Sequence, residues 1–122
     1  MVRRNAIVDK SKGFALKVIR LCRFLAEERR EYVLSKQLLR SGTSVGANVR
    51  EAQRGQSIKD FVSKMQIAQK EADESAYWLE LLHESEYLNE TDFHEAYNQA
   101  EELLKMLASI IVTAKSRADA FP

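Results

Sequence analysis

The stretch TDFHEAYNQAEELLKMLASIIVTAK, residues 91–115, carries the clearest structural pattern in this chain of 122 residues. Its apolar residues recur at steps of three and four, which places them on one side of an α-helix. The charged residues between them fall on the opposite side. The stretch therefore predicts an amphipathic helix over about 92–115, with Thr91 as its N-cap and a frayed tail after Lys115.

Three more segments show helical periodicity, and nothing between them looks like an interdomain linker or a repeat. The predicted helices cover approximately residues 14–30, 34–54, 58–84 and 92–115. Four helices with short connections predict an all-α fold, an antiparallel up-down-up-down four-helix bundle that forms one domain over residues 1–122.

The composition agrees with this fold and excludes several classes of protein. Four Gly and one Pro are too few for the turns of a sandwich or barrel. A hydrophobic share of 45% is enough to build a core. The single Cys excludes a disulfide framework and a cysteine-based zinc site. We expect a cytoplasmic protein with no membrane partner, because no targeting signal or apolar run of about 18 residues is present.

The first predicted helix has more apolar surface than one stripe requires. Leu16, Ile19 and Phe24 lie off the stripe that runs through Phe14 and Val18. Two interpretations fit: a central helix that is covered on several sides, or a contact with another subunit.

The second predicted helix contains Gly42 and Gly46, each of which costs about 1 kcal/mol relative to Ala inside a helix. Their spacing of one turn indicates that a neighbouring backbone packs closely there. Ser35 is the plausible N-cap of this helix. In the third helix, Ser57 and Asp60 resemble a capping box.

A polar stripe follows the second helix beside its apolar one, again at helical spacing: Gln37, Arg40, Ser41, Ser44, Asn48 and Glu51. It is either a solvated face or part of a structural hydrogen-bond network against the third helix. In the second case Glu71 or Glu74 would pair with Arg40, and Trp78 would cover the pair and supply an N–H donor. Such a network specifies the packing register more than it stabilises the fold.

Two segments resemble a known family. The stretch SKQLLRSGTSVGANVREA, residues 35–52, is similar to the signature of the bacterial four-helix-bundle family, also called the 23S rRNA intervening-sequence protein or S23 family. The segments KDFVSK, residues 59–64, and KEADESAYWLELL, residues 70–82, match it too. The resemblance covers roughly residues 14–112. It keeps the polar motif positions Gln37, Arg40, Ser44, Asn48 and Glu51.

The resemblance implies a four-helix bundle that assembles into a ring-like homopentamer and has no attached enzymatic activity. Some family members are encoded in insertions within 23S rRNA genes, and the biochemical role of most is unknown. A more distant relative by fold is the pentameric accessory protein of diversity-generating retroelements, which binds nucleic acid and a reverse transcriptase.

The net charge of +1 conceals a strong asymmetry along the chain. Residues 1–50 hold 12 basic and 4 acidic residues, whereas residues 51–122 hold 7 basic and 14 acidic ones. Outward cations on the first two helices form a candidate surface for RNA or DNA phosphates: Arg20, Arg23, Lys36, Arg50 and Arg54. The alternative is that basic helices meet acidic ones, within the bundle or across a subunit interface.

Few residues suit catalysis or cofactor binding. His83 and His94 do not share one helix face at a four-residue spacing, and Glu80 with His83 is the single Glu-x-x-His pair. Cys22 lies on the apolar stripe, which is typical of an inert thiol. We therefore predict no catalytic, metal or cofactor site, and no small-molecule substrate. The sequence predicts a non-enzymatic protein that assembles with itself, or alternatively a nucleic-acid-binding accessory factor.

Overall fold

In a computed structural model, four α-helices account for most of the chain. The model describes the backbone of residues 2–120 and the side chains of residues 6–119. The helices are α1 (Val2–Glu28), α2 (Val33–Gln53), α3 (Ile58–Glu84) and α4 (Glu90–Ala120). No strand occurs within residues 2–120, so the predicted all-α class with four helices is confirmed.

Each helix contacts two others around a common core. The contacting pairs are α1–α2, α2–α3, α3–α4 and α1–α4, whereas α1 lies across the core from α3 and α2 across from α4. The apolar stripes predicted from the sequence supply this core. Its largest fully buried side chains include Phe14, Leu38, Met65, Leu79 and Leu107.

The first helix begins at Val2 rather than near Phe14, so Gly13 lies inside the helix and does not mark its start. The apolar stripe continues N-terminally, because Ile7 is 1% exposed and belongs to the main core. Burial of a side chain of this size contributes about 1.5–3 kcal/mol, which offsets the roughly 1 kcal/mol cost of an interior glycine.

The start of α2 is fixed by Glu31, and the expectation that Ser35 is the N-cap is wrong. The Glu31 carboxylate accepts hydrogen bonds from the backbone N–H groups of Leu34 at 2.9 Å and Ser35 at 2.7 Å. It satisfies donors that the first helical turn leaves free, and its charge is favourable beside the helix N-terminus. Arg30 adopts a positive φ of 52°, which turns the chain between α1 and α2.

The other two helix starts use short polar side chains. Ser57 Oγ accepts a hydrogen bond from the Asp60 N–H at 3.1 Å, as its sequence position predicts. Before α4 the cap is Asn89, not Thr91, because Asn89 Oδ1 accepts from the Asp92 N–H at 2.8 Å. The helix then continues to Ala120, beyond the end expected near Lys115.

The glycines of α2 lie against α1. A Cβ added at Gly42 would lie 2.8 Å from Val18 Cγ2, which is closer than real Cβ atoms come. A Cβ added at Gly46 would lie 3.4 Å from the backbone carbonyl oxygen of Ser11, at ordinary contact distance. The close packing predicted from the glycine spacing is present at Gly42, but the neighbour there is the Val18 side chain and not a backbone. The backbone of α1 lies near Gly46, at ordinary contact distance.

Candidate functional site

Three surfaces of the bundle contain the residues of interest: the α2–α3 groove, the α1–α2 groove and the α3–α4 groove. At the first, Arg40 of α2 lies between two carboxylates of α3. Its Nη1 is 3.2 Å from Glu71 Oε1, and its Nη2 contacts Glu74. The Arg40 side chain is half exposed, whereas that of Glu71 is 17% exposed. The structure therefore brings together the charged part of the polar set proposed from the sequence.

The rest of the α2 stripe is satisfied in two different ways. Ser44 Oγ donates to the Arg40 carbonyl at 2.7 Å, and Asn48 Nδ2 donates to the Ser44 carbonyl at 2.8 Å. These bonds lie within α2 and do not join it to α3. Further along, Glu51 pairs with Lys64 of α3 at 3.0 Å. Gln37 is exposed.

The buried part of the α2–α3 contact is a pair of hydroxyl groups. Ser75 Oγ lies 2.8 Å from Ser41 Oγ and 2.8 Å from the Glu71 carbonyl oxygen. Both serines have no exposed surface. Ser41 belongs to the stripe recognised in the sequence, but Ser75 was missed. Its position on the buried stripe of α3, four residues after Glu71, is the signal that could have identified it.

Trp78 packs against the hydrophobic core and does not donate the expected hydrogen bond. Its Nε1 is buried and has no partner among the described residues. Its ring lies 5.3 Å from that of Tyr77, which is exposed. Trp78 therefore contributes apolar contact to the core, and its N–H is an unsatisfied buried donor, which is rare in folded proteins.

The candidate nucleic-acid residues all lie on the surface. All five of these cations are exposed: Arg20, Arg23, Lys36, Arg50 and Arg54. Within the side chains that the structure describes, none of the five forms an ion pair. Two other cations of α1 are neutralised within the bundle, Lys10 by Glu102 at 3.0 Å and Lys17 by Glu95 at 2.6 Å.

The α1–α2 groove, which we call the basic groove, is an apolar depression with two cations on its sides. It has a cavity volume of about 310 Å³. Arg23 lies on its α1 side and Lys36 on its α2 side. The remaining lining is mostly apolar and consists of Ile19, Cys22, Ala26, Tyr32, Ser35 and Leu39.

Cys22 at this groove is a buried thiol and not a reactive one. Its Sγ donates to the Ser35 carbonyl at 3.2 Å. Burial, together with the nearby Glu31 carboxylate, raises the pKa of Cys22 to about 12. The thiolate is the nucleophilic form, so the thiol of Cys22 is inert at neutral pH.

The α3–α4 groove carries the opposite charge, and we call it the acidic face. The Tyr97 hydroxyl donates to Glu80 Oε2 at 2.9 Å. This hydrogen bond, partial burial and the nearby carboxylates of Glu80, Glu101 and Asp73 raise the pKa of Tyr97. One carboxylate therefore contacts the Tyr97 hydroxyl, and two more lie near it.

The two histidines meet at the α3–α4 connection. His83 Nε2 is 2.9 Å from Glu90 Oε1, and His94 Nε2 is 3.0 Å from Glu90 Oε2. The hydrogen bond with His83, and to a smaller extent that with His94, lowers the pKa of the Glu90 carboxyl group. Phe93 stacks on the His83 ring with centroids 4.2 Å apart. Among the described residues no three His, Cys, Asp or Glu side chains form a metal-binding group.

The comparisons with known proteins identify the family. A sequence model described as 23S rRNA-intervening sequence protein matches residues 3–109. The chain belongs to this family. The match includes α2 and α3, which hold the motifs noted in the sequence.

A solved structure agrees with this assignment. It is the crystal structure of a protein of unknown function from the S23 ribosomal protein family of Bacteroides thetaiotaomicron. The two chains are 49% identical, with a TM-score of 0.88 over 89% of this chain and 97% of the other. No curated protein matches the sequence. Within residues 2–120, no helix is both long and apolar enough to cross a membrane.

Proposed function

We propose that this member of the 23S rRNA-intervening sequence protein family is a non-enzymatic, cytoplasmic protein that assembles with copies of itself. The observation that carries the proposal is the mostly apolar lining of the basic groove, which includes two large exposed side chains. Tyr32 is 54% exposed and Leu39 39%. Clustered exposed apolar surface marks an interaction site on a small protein.

The proposed assembly is a homopentamer, as the family resemblance implies. Gel filtration with light scattering measures this directly, and we expect a molar mass five times the 14.0 kDa of one chain. Another multiple would preserve self-assembly and exclude the pentamer. A monomer at all concentrations up to the millimolar range would exclude self-assembly.

The antiparallel up-down-up-down arrangement is part of this proposal. Support comes from two sets of ion pairs. Between α1 and α4, Lys10 pairs with Glu102 and Lys17 with Glu95; between α2 and α3, Arg40 pairs with Glu71 and Glu51 with Lys64. In each set the residue number rises along one helix as it falls along the other, as it does between antiparallel helices. Distances between spin labels at the helix ends would test it.

A second candidate function is nucleic-acid binding. It is favoured by the absence of ion pairs at the five exposed cations of α1 and α2, within the part of the chain that the structure describes. Cations of this kind supply the sequence-independent part of affinity for RNA and DNA. The test is a salt-dependent mobility shift of labelled RNA and DNA. Loss of the shift in Arg20→Glu/Arg23→Glu and in Arg50→Glu/Arg54→Glu would support binding, and no shift at low salt would exclude it.

A further inference from the structure

The basic groove and the acidic face lie on opposite sides of the bundle. The basic groove is formed by α1 and α2, and the acidic face by α3 and α4. Among the residues that the structure describes, α1 contacts α2 and α4 but not α3, so the core separates these two grooves. A single molecule therefore cannot bring its own two grooves together.

The two surfaces match in charge and in character. The lining of the basic groove contains Arg23 and Lys36 and no carboxylate. The acidic face has Asp73, Glu80 and Glu101 around Tyr97. The basic groove therefore combines two cations with a mostly apolar lining, and the acidic face combines three carboxylates with an aromatic side chain.

Tyr77 extends the aromatic part of the acidic face. It follows Asp73 by four residues and precedes Glu80 by three, so the three side chains share one side of α3. Its side chain is 53% exposed. Tyrosine is well suited to an interface, since it offers a large apolar ring with a polar tip.

We propose that the basic groove of one copy receives the acidic face of a second copy in a head-to-tail contact. The inference rests on the self-assembly proposed above and specifies the two surfaces that meet. Opposite charges across an interface favour this pairing and fix its register. A two-fold contact of groove with groove would place Arg23 and Lys36 against their own copies, which is unfavourable.

Head-to-tail contact has a consequence for the assembly. Each copy in a pair still has one unused groove, so addition continues until the chain of copies closes into a ring or extends as a filament. A closed dimer would need both grooves of each copy to meet at once, and their opposite positions prevent this.

Charge reversal tests the surfaces separately and together. One variant carries Arg23→Glu and Lys36→Glu, the second Asp73→Lys and Glu101→Lys, and the third all four substitutions. Each two-residue variant brings like charges together, and we expect its association to weaken by about tenfold or more. The four-residue variant exchanges the charges of both surfaces, so it regains the wild-type mass. Molar mass is measured by light scattering over a range of protein and salt concentrations.

Two controls keep the result specific. Arg54→Glu with Lys59→Glu makes the same change in net charge as Arg23→Glu with Lys36→Glu, at exposed positions outside both grooves, and we expect it to leave the mass unchanged. Circular dichroism and thermal melting report whether each variant is folded. Alanine substitutions at the same two pairs of residues remove charge without adding like charges, so they should weaken association by less than the reversals. They replace any reversal variant that does not fold.

The outcomes separate this inference from the proposal beneath it. A monomeric wild-type protein overturns self-assembly, and the inference with it. An oligomeric wild type whose mass is unchanged by both reversals overturns only the assignment of the surfaces. A four-residue variant that is folded but stays monomeric overturns the head-to-tail pairing.

Discussion

Helix α2 packs on its two neighbours by different physical means. Towards α1 it presents Gly42, which makes room for Val18, and the contact is one of shape. Towards α3 it presents the buried Ser41 hydroxyl and the half-exposed Arg40, and the contact is one of hydrogen bonds and charge. The comparison teaches that one helix can fix two packing registers independently. We expect the α1–α2 contact to be most sensitive to a change in side-chain volume. The α2–α3 contact should be most sensitive to the loss of a polar partner.

The largest effect is expected at the shape-determined contact. Gly42→Ala places a Cβ against the buried and stiff Val18, and overpacking of this kind costs about 1–3 kcal/mol. Gly46→Ala is the matched control, because its new Cβ meets only ordinary contacts and gains up to about 1 kcal/mol of helix propensity. Urea unfolding measures both changes.

The Gly42 result has an internal check. If the Val18 side chain is the cause, then Val18→Ala should cost less in the Gly42→Ala protein than in the wild type, since neighbouring substitutions are not additive. Equal stability of the Gly42→Ala and Gly46→Ala proteins would contradict the shape argument.

An intermediate effect is expected at the buried hydroxyl pair. Ser75→Ala removes the partner of Ser41 and should lower the free energy of unfolding by about 1 kcal/mol. The double variant Ser41→Ala/Ser75→Ala leaves no unpaired hydroxyl, so its loss should be smaller than the sum of the two single losses. Additive losses in urea unfolding would show that the two hydroxyls do not interact.

The two sides of α2 also differ in how much the sequence predicts. The glycine spacing indicated close packing, and the polar stripe indicated the partners of Arg40. Neither pattern could show that Gly42 is the tighter glycine, because that depends on the position of Val18 across the interface. The position of Ser75 on the buried stripe of α3 could have marked it as a buried hydroxyl, but spacing along α3 could not show that its partner is Ser41 of α2.

The helix ends show the same limit on prediction from the sequence. The four helices and the family were predicted correctly, since both rest on long patterns. The predicted start of α1 and the predicted cap of α2 were wrong, because the buried stripe of α1 continues N-terminally to Ile7 and because Glu31 is an unusual cap. Caps depend on one side chain reaching one backbone N–H, which spacing alone does not specify.

A smaller effect is expected at the charged part of the α2–α3 contact. Arg40→Ala should lower the free energy of unfolding by at most about 1 kcal/mol, because the Arg40 side chain is half exposed and water screens its ion pairs. The loss should shrink as the salt concentration rises. Glu74→Gln, which removes one of the two charges, should cost less than Arg40→Ala.

The test of Arg40 is urea unfolding in low and high salt, together with light scattering for the assembled state. Since a network of this kind specifies packing register, the variant should remain helical and show an altered assembly or stability. An unchanged melting temperature with an unchanged oligomer mass would contradict a structural role for the network.

The smallest effect near neutral pH is expected at Cys22, on the α1 side of the comparison. Its pKa is raised to about 12 in the folded chain, from an ordinary value of 9.0 for a cysteine thiol. The protonated thiol is therefore favoured by folding, and its contribution is fully present below pH 9. As the pH rises from 9 towards 12, the unfolded chain ionises first and this contribution is lost.

Cys22→Ser is the test, because serine keeps a hydroxyl that can donate to the Ser35 carbonyl but does not titrate in this range. The difference in unfolding free energy between the wild type and Cys22→Ser should be constant up to pH 8. Above pH 9 it should change steadily in favour of Cys22→Ser. Parallel stability curves up to pH 11 would show that the thiol ionises as easily in the folded chain as in the unfolded one, and the α1–α2 contact would then be more open to water than its packing indicates.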